Sequence, residues 1–307
     1  MTWGRDTDAL DAADQLRDFL DAGGTFVDTA ASYGGGEAEQ VLGSLLDGQV
    51  DRAELVLTTQ AGLVRGRDGV RADTSRRALL DGLDASLARL GTDHVDLFLV
   101  HRPDAVTPPH EVADTLQHVV ASGRARYVGL SNHPAWASSH LTGLLDRTQA
   151  PVVGLQREYS LVQRGVERDA LPAARALGQG LLAWSPLGRG VLTGKYRSAV
   201  PSDSRAASPH LGAFVSQYLD ARSTAVVEAV ATAAAGLGRE PLEVALAWLL
   251  ARAGVACAVV GARTPGQLRA SLDALDLVLP GELYDALDDV SGPGAEHADR
   301  WDSTASV

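Results

Sequence analysis

Lysine is nearly missing from this sequence: Lys195 is the only one in 307 residues, so every other fixed side-chain cation is an arginine. Cysteine is as scarce. Cys257 stands alone, which excludes an intrachain disulfide and a multi-cysteine metal site. It lies in Val-Ala-Cys-Ala-Val-Val, the setting of a buried, inert thiol. No run of about 18 apolar residues is present that could span a bilayer, and the first residues lack the basic and apolar regions of a signal peptide. A cytoplasmic protein is the expectation. His101, His110, His118, His133 and His140 show no close ligand spacing with acidic partners, so no metal is expected. Positive charge is in deficit, 27 basic against 39 acidic residues for a formal charge of −12. That balance argues against nucleic acid or an anionic membrane as partner, and any small anion must be held by a local site.

The composition that remains, 45% hydrophobic with 32 glycines and 13 prolines, suits one large α/β domain or two ordinary ones. Strand and helix alternate along the chain. Thr7 is placed to cap a helix whose apolar face is Leu10, Ala13, Leu16 and Leu20, and a strand over 25–30 follows. A helix is expected over 37–46 and a strand over 54–59, then Gly62, Gly66 and Gly69 punctuate a loop. The helix over 75–90 carries Leu79, Leu83, Leu87 and Leu90 at helical spacing, with Gly91 as its stop. Strands over 95–100, 125–130, 152–155, 181–183 and 256–260 alternate with further helices. From Gly188 to about Asp220 the periodicity fails, and a loop of that length is usually functional or disordered.

The strands are continuous apolar runs, as in a parallel sheet covered on both faces. Their C-terminal ends carry Asp28, Gln60, His101, Asn132, Gln156, Trp184 and Arg263. In a (β/α)8 TIM barrel these ends converge on one face, where such enzymes keep their active sites. A doubly wound open sheet would want a glycine-rich fingerprint after its first strand, and Gly34-Gly35-Gly36 lacks that spacing. The expectation is a single (β/α)8 barrel over 1–290 with a mobile tail over 291–307. Its first strand looks truncated, since Met1 to Gly4 can supply only the end of one; upstream residues that complete it are expected to raise solubility and cofactor affinity.

The segments FVDTAASYG, DLFLVHRPD, YVGLSN, WSPLGRGVLTGKY and VVGARTPGQL, in that order, resemble the aldo-keto reductases, NADPH-dependent (β/α)8-barrel oxidoreductases. The resemblance is closest to the branch that also holds potassium-channel β subunits and antibiotic-sugar reductases. It implies that Tyr33 is the general acid, with Asp28 and His101 beside it, His101 orienting the carbonyl. The family's catalytic lysine falls at Gln60, a departure from the pattern. It further implies that Ser131, Asn132 and Gln156 hold the nicotinamide amide and that Trp184 stacks on the ring. Ser185, Leu187 and Gly190 match the pyrophosphate loop, while Gly261, Arg263, Gln267 and Ser271 match the adenosine-phosphate site. A helix N-terminus beside an arginine suits a phosphate and favours NADPH over NADH.

A free tyrosine titrates near 10, and a cation within about 4 Å can lower that by roughly 1 to 3 units. Gln60 brings no charge, which leaves Asp28 without a cationic partner and Tyr33 protonated at pH 7. The expected activity is reduction of a small-molecule carbonyl, weakened or altered by Gln60. Reduction of a conjugated double bond, or an impaired NADPH-binding sensor with a protein partner, are the alternatives; oligomeric state is left open.

Overall fold

The computed structural model describes residues 2–66, 69–202, 204–208 and 212–292. The tail expected to be mobile lies outside the described residues from 293 onward; Ser291 instead ends the last helix and is buried. Seven parallel strands form one curved sheet in the order β1 (Phe26–Asp28), β2 (Val56–Ala61), β5 (Val95–Val100), β6 (Ala125–Ser131), β7 (Val152–Glu158), β8 (Gly180–Trp184) and β9 (Val255–Val259). The short antiparallel pair β3 (Leu63–Gly66) and β4 (Gly69–Ala72) makes a hairpin where the glycines had suggested an irregular loop. Helices clothe the sheet: α1 (Ala9–Asp21), α2 (Glu37–Leu46), α3 (Arg76–Leu90), α4 (Pro109–Ala121), α5 (Ala135–Leu145), α6 (Ala170–Ala176), α7 (Gly212–Ser216), α8 (Ala221–Leu237), α9 (Pro241–Leu250), α10 (Pro265–Leu272) and α11 (Gly281–Ser291). This is the (β/α)8-type barrel. No helix among the described residues is long and apolar enough to cross a membrane.

The N-terminal segment departs from the sequence reading. Asp8, not Thr7, caps α1 by accepting from the Leu10 and Asp11 amides. The Thr7 hydroxyl donates instead to the Arg263 carbonyl, and that of Thr2 to the Ala262 carbonyl. Residues 2–7 form a turn with one isolated bridge, Trp3 to Thr7, and contribute no strand. Strands β1 and β9 therefore face each other across a gap. A cavity of about 380 Å³ occupies it, lined by Trp3, Phe19, Phe26, Leu246, Cys257 and Val259 among others.

Side-chain alternation along each strand sorts the sheet into two environments. One apolar cluster packs between sheet and helices, with Leu57, Leu79, Leu83, Phe98, Val128 and Leu181 among its members. A second cluster plugs the barrel interior: Leu97, Leu99 and Leu182, with Phe26, Val153, Cys257 and Val259 against them. Two residues further along their strands, the same inward parity turns Phe26 into Asp28, Leu99 into His101 and Leu182 into Trp184. The fold thus raises a polar layer directly above an apolar plug.

Strand β2 is seated from outside by a buried ion pair. Glu39 of α2 is fully buried, accepts from the Thr59 hydroxyl at 2.5 Å, and pairs with Arg89 of α3 at 2.6 Å. Gly43 lets α2 come this close to α3, because a Cβ there would strike the Arg89 carbonyl oxygen. Thr59 precedes Gln60, so the pair holds outside the barrel the strand whose next side chain enters it. Removing one partner leaves an uncompensated buried charge, which costs about 3 kcal/mol or more. Arg89→Met is expected to lose that much in urea unfolding, and adding Glu39→Met to recover most of it.

Candidate active site

Asp28 ends a three-residue strand at the mouth of the barrel. Its Oδ1 accepts from Gln60 Nε2 at 3.1 Å and from Gln156 Nε2 at 2.8 Å. Gln60 Nε2 also donates to Gln156 Oε1 at 2.9 Å. The sequence reading left Asp28 without a cationic partner; the partners the structure gives it are two amides from β2 and β7, both neutral. Gln60 and Gln156 are themselves buried, and Gln60 Oε1 is a buried acceptor with no partner.

The hydrogen-bond chain continues around the mouth. Ser131 Oγ donates to Gln156 Oε1 at 3.2 Å, and Asn132 Nδ2 donates to Ser131 Oγ and to the His101 carbonyl, each at 3.0 Å. Trp184 Nε1 donates to Asn132 Oδ1 at 3.1 Å. Asp28, Gln60, Gln156, Ser131, Asn132 and Trp184 are thereby one connected network. Tyr33, in the turn after β1, meets the His101 ring edge-on with centroids 6.1 Å apart.

Burial sets the protonation of these groups. Burial raises the Asp28 carboxyl to about 6, against the pull of the Gln156 and Gln60 hydrogen bonds. Burial, then the Asp28 charge, drives the Tyr33 hydroxyl far above its ordinary value, and Gln60 offsets only part of that. Burial, then Arg102, lowers His101 to about 4, so its ring is neutral at pH 7. Arg102 is exposed and acts on the site only as a repulsive charge for a protonated His101. Cys257 faces the same interior, and burial followed by the Asp28 charge pushes its thiol up to about 12, which makes it inert at neutral pH.

The remaining sequence-predicted residues form two further groups. Ser185, Leu187 and Gly190 lie on the turn after β8, with Ser185 at φ 51° and Gly190 at φ 98°. Gly261, Arg263, Gln267 and Ser271 gather at α10, whose N-cap is Thr264. There Gln267 turns back so that its Oε1 accepts from the Arg263 amide at 3.0 Å, and the Ser271 hydroxyl donates to the Gln267 carbonyl within the helix.

Backbone strain marks the same face. Among the described residues, Asn132, Ser185 and Arg189 are the non-glycine residues with left-handed backbone, and all three follow strand ends on this face. Such strain persists where the surroundings over-determine it, commonly at ligand sites. Sequence reasoning missed Arg189 and Glu158, which join as an ion pair at 2.7 Å beside Trp184. An arginine between two glycines gave no signal that it would be buried.

A carboxyl whose folded value is about 6 against an ordinary 3.8 binds more protons folded than unfolded. Its contribution to stability is complete below about pH 4 and is lost as pH rises through 6. The melting-temperature difference, Asp28→Asn minus wild type, is therefore expected to grow from pH 4 to pH 7; a flat difference would contradict it.

Comparison with known proteins agrees with this geometry. The Aldo/keto reductase family matches residues 1–291. A probable voltage-gated potassium channel subunit beta of Oryza sativa subsp. japonica is 33% identical over 298 residues, covering 94% of this chain and 90% of the relative. L-glyceraldehyde 3-phosphate reductase of Escherichia coli (strain K12) is 34% identical over 268 residues, 85% of this chain and 78% of the relative. Aldo-keto reductase YhdN of Bacillus subtilis (strain 168) is 30% identical over 268 residues, 87% and 79% of the two chains. A match of that extent, over a barrel whose strand ends bring Asp28, Gln60, His101 and Trp184 to one mouth, makes this chain a member of the aldo/keto reductase family of oxidoreductases.

Proposed function

We propose that this protein is a cytoplasmic NADPH-dependent reductase of an aldehyde or ketone, with Tyr33 as proton donor and Gln60 in place of a catalytic cation. The observation that carries the reading is the contact of Tyr33 with His101 beside a carboxylate whose partners are amides. Ser131, Asn132 and Trp184 would hold the nicotinamide end, the 185–190 turn the pyrophosphate, and Arg263 with the start of α10 the adenosine phosphate. The chemistry a nicotinamide cofactor would supply there is a hydride for the carbonyl carbon.

The residues account for the direction of the reaction. The Tyr33 hydroxyl delivers its proton to the carbonyl oxygen as negative charge develops on it, and neutral His101 orients that oxygen by hydrogen bonding. The reverse reaction needs tyrosinate as base. Burial and the negative Asp28 both oppose tyrosinate, and no lysine offsets them, so alcohol oxidation suffers most. Protonating Asp28 removes the repulsion, so Tyr33 is a stronger acid below pH 6 than above it.

Single-turnover reduction of a panel of aldehydes and ketones tests the reading. Tyr33→Phe is expected to lose roughly a hundredfold or more, the usual scale of a general acid. Gln60→Lys is expected to raise alcohol oxidation at pH 8 by at least about tenfold, as a cation lowers the tyrosine pKa. The hydride-transfer rate is expected to rise as pH falls through about 6, and Asp28→Asn to abolish that inflection. Full activity in Tyr33→Phe would overturn the proton-donor assignment. A weakly supported acid also suits conjugated double bonds, so turnover of enones with none of saturated ketones would move the substrate class there. Tight NADPH binding without turnover of either would favour a sensor.

A further inference from the structure

Arg189 stands between Gly188 and Gly190, and all three have left-handed backbone, at φ 54°, 60° and 98°. Its side chain is 6% exposed. Nε and Nη2 donate to the two oxygens of Glu158 at 2.8 and 2.7 Å, and Nη1 donates to the Phe214 carbonyl at 2.5 Å. The guanidinium carbon lies 3.4 Å from the centre of the Phe214 ring, 5.0 Å from that of Tyr218 and 5.8 Å from that of Trp184. Glu158 ends β7 two residues past Gln156 and pairs across the sheet with Trp184. One side chain therefore joins four pieces: the 187–190 turn, the end of β7, helix α7 and Trp184.

Stability alone does not explain this arrangement, because a buried ion pair is often no better than apolar residues of the same size. What the planar, two-pronged contact supplies is geometry. A strained turn is fixed at one height above the barrel mouth, and a cation is laid against the indole that closes one side of the polar network. The fork permits no sliding, since both carboxylate oxygens and the Phe214 carbonyl are engaged together.

We propose that Arg189, held by Glu158, is a positioning residue that preassembles the 187–190 turn and Trp184 into one wall of the cofactor site, so that retention of NADPH, rather than the hydride-transfer step, depends on it. This rests on the reading of the protein as an NADPH-dependent reductase. Arg189 makes no contact with the reacting atoms in this assignment; it acts through the turn and through Trp184.

The scarcity of lysine provides a test that needs no cofactor. Lys195 is the sole lysine and is exposed, six residues beyond Arg189, so endoproteinase Lys-C has one possible cleavage site, at the end of this same turn. Arg189→Met and Glu158→Gln, in the full chain without cofactor, are each expected to speed that cleavage at least tenfold. With NADPH they are expected to raise its Kd and KM at least tenfold, while single-turnover hydride transfer at saturating NADPH stays within twofold. The double variant Arg189→Met/Glu158→Met is expected to recover the melting temperature, as matched apolar groups fill the site, but not the Kd. Unchanged Lys-C cleavage in both single variants would overturn the inference. So would a melting-temperature loss with Kd unchanged, or a Kd recovered together with melting temperature in the double variant. Failure of the wild type to bind NADPH would overturn the reductase reading itself, and Lys-C cleavage would still decide whether Arg189 holds the turn.

Discussion

Asp28 places a carboxylate inside the mouth of a barrel where, among the described residues, its hydrogen-bond partners are amides, and the polar layer at that mouth is built to satisfy it. The amides of Gln60 and Gln156 converge on it from β2 and β7. Because each side-chain amide has both donors and an acceptor, satisfying Asp28 also commits Gln60 to Gln156, Gln156 to Ser131 and, through Asn132, reaches Trp184. Burial without a cation leaves the carboxyl near 6. A buried network of this sort holds only when nearly every member is paired. Among the described residues, Gln60 Oε1 is the atom of this network left buried without a partner.

Much of this is legible in the sequence. Continuous apolar runs followed by Asp28, Gln60, His101, Asn132, Gln156 and Trp184 indicate a parallel barrel, because inward parity carries each run's last side chain onto one face. The partners of Asp28 were not legible. Gln156 is 128 residues away, and its amide reaches the carboxylate only once five strands have set their relative heights. Arg189 failed for a similar reason: flanking glycines suggest a solvated turn, whereas the cage that buries it comes from Phe214 and Tyr218, well downstream. The hairpin of β3 and β4 was hidden by its glycines, whose turn value outweighed a short alternation of apolar residues. Local pattern located the elements, and long-range contacts decided what each polar group meets.

Charge is distributed with economy across the mouth. In the interior layer burial, rather than counter-ions, sets the protonation: it raises the Asp28 carboxyl to about 6, keeps Tyr33 protonated and leaves the His101 ring neutral at pH 7. The outer wall uses a counter-ion instead, pairing Arg189 with Glu158. Glu39 and Arg89 repeat the paired solution behind β2.

The gap between β1 and β9 gives the inner layer a mechanical side. Strand β1 is laddered to β2 alone, and its other edge borders the cavity, so the strand carrying Asp28 lacks the second hoop of hydrogen bonds that its neighbours enjoy. The Gln156–Asp28 bond then works as a spoke across the ring. Gln156 thus tethers β1 from across the barrel, on the side where the ladder does not.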